Sequence, residues 1–271
     1  MSRFRQRAHV TGWRPPRAGE GGFSLFELAI VLLILGLMVG AVIRPIVSDG
    51  ENRVINESRA VLDEAREALL SYVAATGYFP CPADAASNGA EAGGTTPNHS
   101  DGVCGVWHGF LPARLLGLTS TDAQGYAVDG GRQPVNRIRY AVSNDTVASI
   151  TNPFTRVNGL RLVGSGLTEA ENLLFVCSSG SGVNAGVDCG SGGTLTSRAV
   201  VVIWSVGGNA VSGGGASLDE AENPNPNGGS ADRIFVSKAR TVAVGAEFDD
   251  LLYWIPTTVL VNRLLAYGQL P

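Results

Sequence analysis

The chain has 271 residues, enough for one large domain or two small ones, and its 36 Gly and 13 Pro favour short strands joined by many turns over a helical bundle. The formal charge of -4 is uneven, because Arg3, Arg5, Arg7, Arg14 and Arg17 face only Glu20 within residues 1–22. The remainder is therefore more acidic than the whole, which argues against nucleic acid as a partner. The single lysine, Lys238, follows Ser237, so no G-K-[ST] phosphate loop exists, and G-x-S-x-G and H-E-x-x-H are absent too. No nucleophile–base pair stands out, and the chain reads as something other than an enzyme.

The first element is the apolar run at 23–43, in which Glu27 is the one ionisable side chain. As a helix it is expected to span roughly 31 Å, the thickness of a bilayer core. The arginine-rich stretch before it then stays cytoplasmic and the remainder lies on the far side. A secretory signal peptide fits less well, since Ile43, Arg44 and Pro45 offer no small-x-small cleavage site. A plain membrane anchor leaves Glu27 unexplained, because a carboxylate at membrane depth costs on the order of 2.5 to 3.5 kcal/mol and needs a partner.

Gly22 followed by Phe23, Ser24, Leu25, Phe26, Glu27 and Leu28, then a long aliphatic run, resembles the amino-terminal signal of type IV pilins and type II secretion pseudopilins. The resemblance covers about a fifth of the chain. It implies that a prepilin peptidase cuts between Gly22 and Phe23 and methylates the new amine. It also implies that Glu27 pairs with the amino terminus of a neighbouring pilin or pseudopilin subunit during assembly. Gly36 and Pro45 fall near positions where pilins loosen and end the span. The implied location is the inner membrane, single-pass, with the amino terminus cytoplasmic and the body periplasmic, then a filament.

From 44 to 76 apolar residues recur at helical spacing, from Val54 and Ile55 through Val61, Leu62, Ala65 and Leu69 to Val73. Asp49, Arg53 and Glu57, and Arg59 with Asp63, form i,i+4 opposite-charge pairs between them. This continuation reads as an amphipathic stalk that ends at Thr76 and Gly77. The expected division is thus a leader at 1–22, a transmembrane segment at 23–43, a stalk at 44–76 and a globular β-rich domain at 77–271. A loop follows from 83 to 105, then strands at 138–143, 160–163, 173–177, 199–206, 234–244 and 251–255, and a terminal helix at 257–267. Several pieces here are similar to large minor pilins, among them Gly109 to Pro112, Arg139 to Val142, and Asp249 with Asp250. The implied fold class is α+β and pilin-like, a long transmembrane and stalk helix packed on an antiparallel sheet.

Sequence order pairs Cys81 with Cys104 and Cys177 with Cys189, although three pairings are formally open. Each bridge would close a turn-rich loop and contribute roughly 3 kcal/mol. Cys81, His99, Cys104 and His108 include soft ligands but lack zinc spacing, and read better as structural residues. No cofactor is expected. The resemblance makes calcium a better guess than zinc, since some pseudopilins hold it in a loop, and Asp84, Asn88, Asp101, Asp219, Glu220, Asn225 and Asn227 supply oxygen ligands, without an EF-hand pattern. The stretch 223–230 reads as a hairpin tip.

The expected function is a minor pilin or pseudopilin subunit that assembles through its amino-terminal helix into a type IV pilus or a type II secretion pseudopilus. The alternative is a filament-tip module binding DNA or a surface, for which Arg132, Arg137 and Arg139 offer a local phosphate contact.

Overall fold

The computed structural model describes residues 24–92, 98–184, 186–209, 217–223 and 233–270, without the side chains at 39–49. The chain divides into two units, Met1–Asp49 and Gly50–Pro271. The helical residues after Asp49 belong with the second unit.

Helix α1 covers Leu25–Thr76. Its start is capped by Ser24, whose hydroxyl accepts from the Phe26 amide at 3.3 Å and whose carbonyl accepts from Leu28 at 3.0 Å. It ends at Gly77, whose φ of 82° suits a left-handed helix stop. Within the second unit Leu62, Ala65, Leu69 and Val73 line one buried face, the three-to-four spacing that an amphipathic helix requires. Burial of each leucine contributes about 1.5 to 3 kcal/mol.

The sheet contains β1 (His108–Phe110), β2 (Arg139–Val142), β3 (Leu174–Cys177), β4 (Thr194–Ser205), β5 (Ile234–Val236) and β6 (Leu251–Pro256). Their order is β1-β2-β4-β3-β5, with β6 paired to β4 off that path. The long β4 is the hub, antiparallel to β2, β3 and β6. β5 runs parallel to β3, placing Phe175 opposite Ile234. Side chains alternate across the sheet with period two. Tyr140, Val142, Val201, Ile203 and Ile255 join Leu62, Leu69 and Val73 of α1 and Leu260 and Leu264 of α5 (Thr257–Ala266) in one core. Ala141, Val202, Trp204 and Leu252 turn to the other face and cluster with Val176 and Phe235.

Two features fix the part of α1 after Asp49 against the rest of the second unit. Gly130 sits so close to the helix that a Cβ would fall 2.3 Å from the Val54 carbonyl oxygen and 3.0 Å from the Glu57 Cβ. Its amide donates to the buried Ser58 hydroxyl at 3.0 Å, and that hydroxyl donates to the Val54 carbonyl at 2.8 Å. Arg263 on α5 reaches Glu67 on α1 at 2.5 Å, and Gln269 donates to the Ala74 carbonyl at 2.9 Å.

Three expectations are corrected. The pilin-like α+β class with a transmembrane helix on an antiparallel sheet gives way to a curled mixed sheet with a few helices, because β5 enters beside β3 in parallel. No helix among the described residues is long and apolar enough to cross a membrane, which overturns the single-pass inner-membrane location and the body placement derived from it. The described apolar side chains at 25–38 of α1 rise only about 21 Å, short of a hydrocarbon core of about 30 Å. The expected strand at 160–163 is helix α3, Gly159–Val163, entered through Asn158 at φ 59°. Leu160 and Val163 are its buried pair, three apart, while Arg161 and Leu162 face out.

Candidate functional site

Residues 25–38 of α1 carry the largest run of uncovered apolar side chains among the described residues. Leu25 is 87% exposed and Phe26 75%, and Leu28, Leu32, Leu33, Leu37 and Met38 are exposed with them. Such a run is far larger than the scattered exposed leucines of an ordinary surface. Glu27 lies in the first turn, exposed, three residues after the capping Ser24. That is the spacing of a capping box, and a carboxylate there also suits the positive end of the helix dipole. Sequence reading did not note this S-x-x-E spacing. Gly22 and Phe23, the expected cleavage and methylation positions, lie outside the described residues.

Both disulfides expected from sequence order are present, Cys81 with Cys104 and Cys177 with Cys189. Cys81 and Cys104 are therefore closed to zinc. His99 next to them is held by protein, with Nδ1 2.7 Å from the Thr155 carbonyl and Nε2 3.2 Å from Glu91. Burial pulls its imidazolium down, but Glu91 and the Thr155 carbonyl together outweigh that and raise its pKa above the usual value. His108 is pushed down to about 4 by burial.

The three arginines of the alternative reading do not form a basic patch. Arg132 is exposed and reaches Glu57 at 3.4 Å. Arg137 lies over the Tyr126 ring at 4.0 Å and bonds Asp122 at 2.7 Å. Arg139 is 7% exposed, over the Phe110 ring at 4.8 Å, with no hydrogen-bond partner for Nε or Nη1 among the described residues. Burial first, and then Arg137, pull it down to about 9, with Asp250 opposing.

The expected calcium ligands scatter. Asp84 and Asp101 cap their own turns, accepting from the Ala86 and Val103 amides. Asn88 sits at φ 52° with its amide on the Tyr126 hydroxyl. Asp219 is occupied by Lys238, Ser179 and the Gly180 amide. Asn225 and Asn227 lie outside the described residues. Glu220 alone turns inward, and it meets Asp249 and Asp250, which sequence reading had noted only within the pilin resemblance.

This acidic group forms where three segments converge: residues 207–209 after β4, helix α4 (Leu218–Ala221) with Asn223, and residues 249–250 before β6. Glu220 Oε1 accepts from the Asp249 amide at 2.9 Å, and Oε2 accepts from Asn209 at 3.0 Å. Asp249 Oδ2 accepts from the Gly208 amide at 2.8 Å. Asp250 Oδ2 accepts from Asn223 at 2.5 Å, and Asn223 is clamped to β5 through both the amide and the carbonyl of Val236. Gly207 has φ 65°, and a Cβ on it would lie 2.3 Å from Asp249 Oδ1, so glycine keeps space open beside that oxygen. Burial raises the pKa of Asp250 well above the carboxylate range and that of Glu220 above its usual value; the neighbouring carboxylates add to this, and Asn hydrogen bonds offset part of it. Asp249 and Asp250 are neighbours in the chain, but nothing in the sequence brought Glu220, 29 residues before Asp249, to them.

Comparison with known proteins finds no matching family model, no matching curated protein and no matching solved structure.

Proposed function

We propose that the chain is a structural subunit, in the role of a minor pilin or pseudopilin, that assembles into a type IV pilus or type II secretion pseudopilus through residues 25–38. The observation that supports this is the uncovered apolar helix beside Glu27, on a chain whose amino-terminal residues resemble the prepilin signal. An apolar helix surface of this extent is covered in the working state, and equivalent helices of other subunits are the cover this reading assigns. Glu27 then meets the amino terminus of a neighbour, where a cation and a carboxylate leaving water together offset each other's desolvation cost. Prepilin peptidase creates that terminus by cutting between Gly22 and Phe23. The two arginines that bury or stack against aromatic rings remove the local feature behind a DNA-binding tip.

Processing tests the reading. The intact mass of protein from cells with a prepilin peptidase should match a chain beginning at Phe23 with one added methyl. Gly22→Ala should leave precursor. A mature chain beginning elsewhere contradicts the proposal.

A further inference from the structure

We propose that Glu220, Asp249 and Asp250 form a proton-operated latch joining three segments of the second unit, closed in mildly acidic surroundings and loosened as pH rises. One oxygen from each residue lies within 4.8 Å of the others. Glu220 comes from α4 and the two aspartates from the approach to β6, and Asp249 also holds the turn after β4 through the Gly208 amide. The latch does not depend on the assembly helix.

A shortage of donors makes the proton necessary. Asp250 is 5% exposed, its Oδ2 accepts from Asn223, and its Oδ1 has no hydrogen-bond partner among the described residues. Asp249 Oδ1 has none there either, in the space that Gly207 leaves open. Glu220 and Asp249 meet carboxyl to carboxyl within hydrogen-bond reach. Ionised carboxylates only accept, so that contact is a hydrogen bond only when one of the two carries a proton. A bound proton thus supplies the missing donor. Its loss leaves buried acceptors unpaired and like charges in contact.

The charges facing the group do not replace it. Arg139 of β2 attracts Asp250, yet among the described residues its Nε and Nη1 have no hydrogen-bond partner and its Nη2 goes to the Val135 carbonyl. Lys238, just beyond β5, is taken by Asp219. Asp129, from the segment before β2, adds a further carboxyl in the field of Asp249. Burial is the largest cause that raises Asp250 and Glu220, and neighbouring carboxylates add to it. Groups raised in the folded state stabilise it below their unfolded pKa, and that contribution is lost as pH rises through the folded values.

The test uses the full chain. Side-chain carboxyl carbons followed by NMR across pH should show at least one of the three ionising well above the ordinary carboxylate range. Urea unfolding is measured from about pH 5 to about pH 8 for the unsubstituted chain and for Asp250→Asn, in which an amide N–H takes the place of the missing donor. One proton held in the folded state alone changes the folding equilibrium about tenfold per pH unit, so the folding constant of the variant relative to the unsubstituted chain should rise about tenfold or more over that range. His99 acts in both chains and cancels in the ratio. Hydrogen-exchange protection of the Gly208 and Asp249 amides should fall with pH, and fall less in the variant. All three carboxyls ionising within or below the ordinary range, a ratio that stays level or falls as pH rises, or the same protection profile in both chains would each overturn the proposal. Should Asp250→Asn not fold, the carboxyl titration of the unsubstituted chain decides alone.

Discussion

Gly130→Ala probes the seam that holds the part of α1 after Asp49 to the rest of the second unit. The added methyl would sit 2.3 Å from the Val54 carbonyl oxygen and 3.0 Å from the Glu57 Cβ, and the first neighbour is helix backbone that cannot swing aside. Overpacking of this kind costs about 1 to 3 kcal/mol. Separation of the segments would also lengthen the 3.0 Å bond from the Gly130 amide to Ser58, worth about 1 kcal/mol. Against this, alanine restricts the unfolded chain and returns about 0.4 to 1 kcal/mol. The net expectation is a loss of about 1 to 3 kcal/mol, or roughly 3 to 10 °C in Tm for a body of this size. Urea unfolding followed by circular dichroism measures it. Ser58→Ala removes the same bond from the other side, so the double variant should lose less than the sum of the singles. Unchanged or increased stability in Gly130→Ala, or strict additivity with Ser58→Ala, would refute the seam.

His99 supplies a pH dependence with a defined sign. Its pKa is raised in the folded chain, so its contribution is fully present below about pH 6.5 and is lost as pH rises through the higher folded value. His99→Gln should remove that part of the decline in stability above pH 6.5, and an unchanged profile would contradict the Glu91 contact. The disulfides give a redox prediction: alkylation under native oxidising conditions should label no cysteine, and Cys177→Ser with Cys189→Ser should cost roughly 3 kcal/mol by the loop-closure estimate. A free thiol in the native protein would contradict the pairing.

Much of the sheet was legible because strands covered on both faces read as continuous apolar runs. Leu174 to Cys177, Val201 to Ser205 and Leu251 to Ile255 are apolar runs between turn residues, and each became a strand within a few positions of expectation. Where the run was short or its partner distant, reading failed. Leu160 to Val163 fits either period in four residues, and its i,i+3 burial decided for helix. The stretch after Val236 has strand-like composition, yet β5 ends there, and Val244 is 98% exposed. The parallel partnership of β3 and β5 is not encoded locally, since strand direction depends on the path between them. The acidic group had no linear signal, since Glu220 and Asp250 are brought together by folding and each, read singly, is an ordinary surface residue. Glu27 was visible in the sequence because a lone carboxylate in an aliphatic run breaks a strong pattern.

The central claim is that residues 25–38 join this chain to others, and Glu27 tests it most directly. As a first-turn carboxylate Glu27 adds about 0.3 to 1 kcal/mol to the helix start, so Glu27→Gln should leave folding and processing intact. Sheared filaments and the remaining cell fraction would be separated and the chain quantified in each, for the unsubstituted protein, Glu27→Gln and Glu27→Val. The account predicts normal processing and at least a tenfold loss from filaments for both variants, corresponding to about 1.4 kcal/mol or more in incorporation. Both variants co-fractionating with filaments at the unsubstituted level would contradict it.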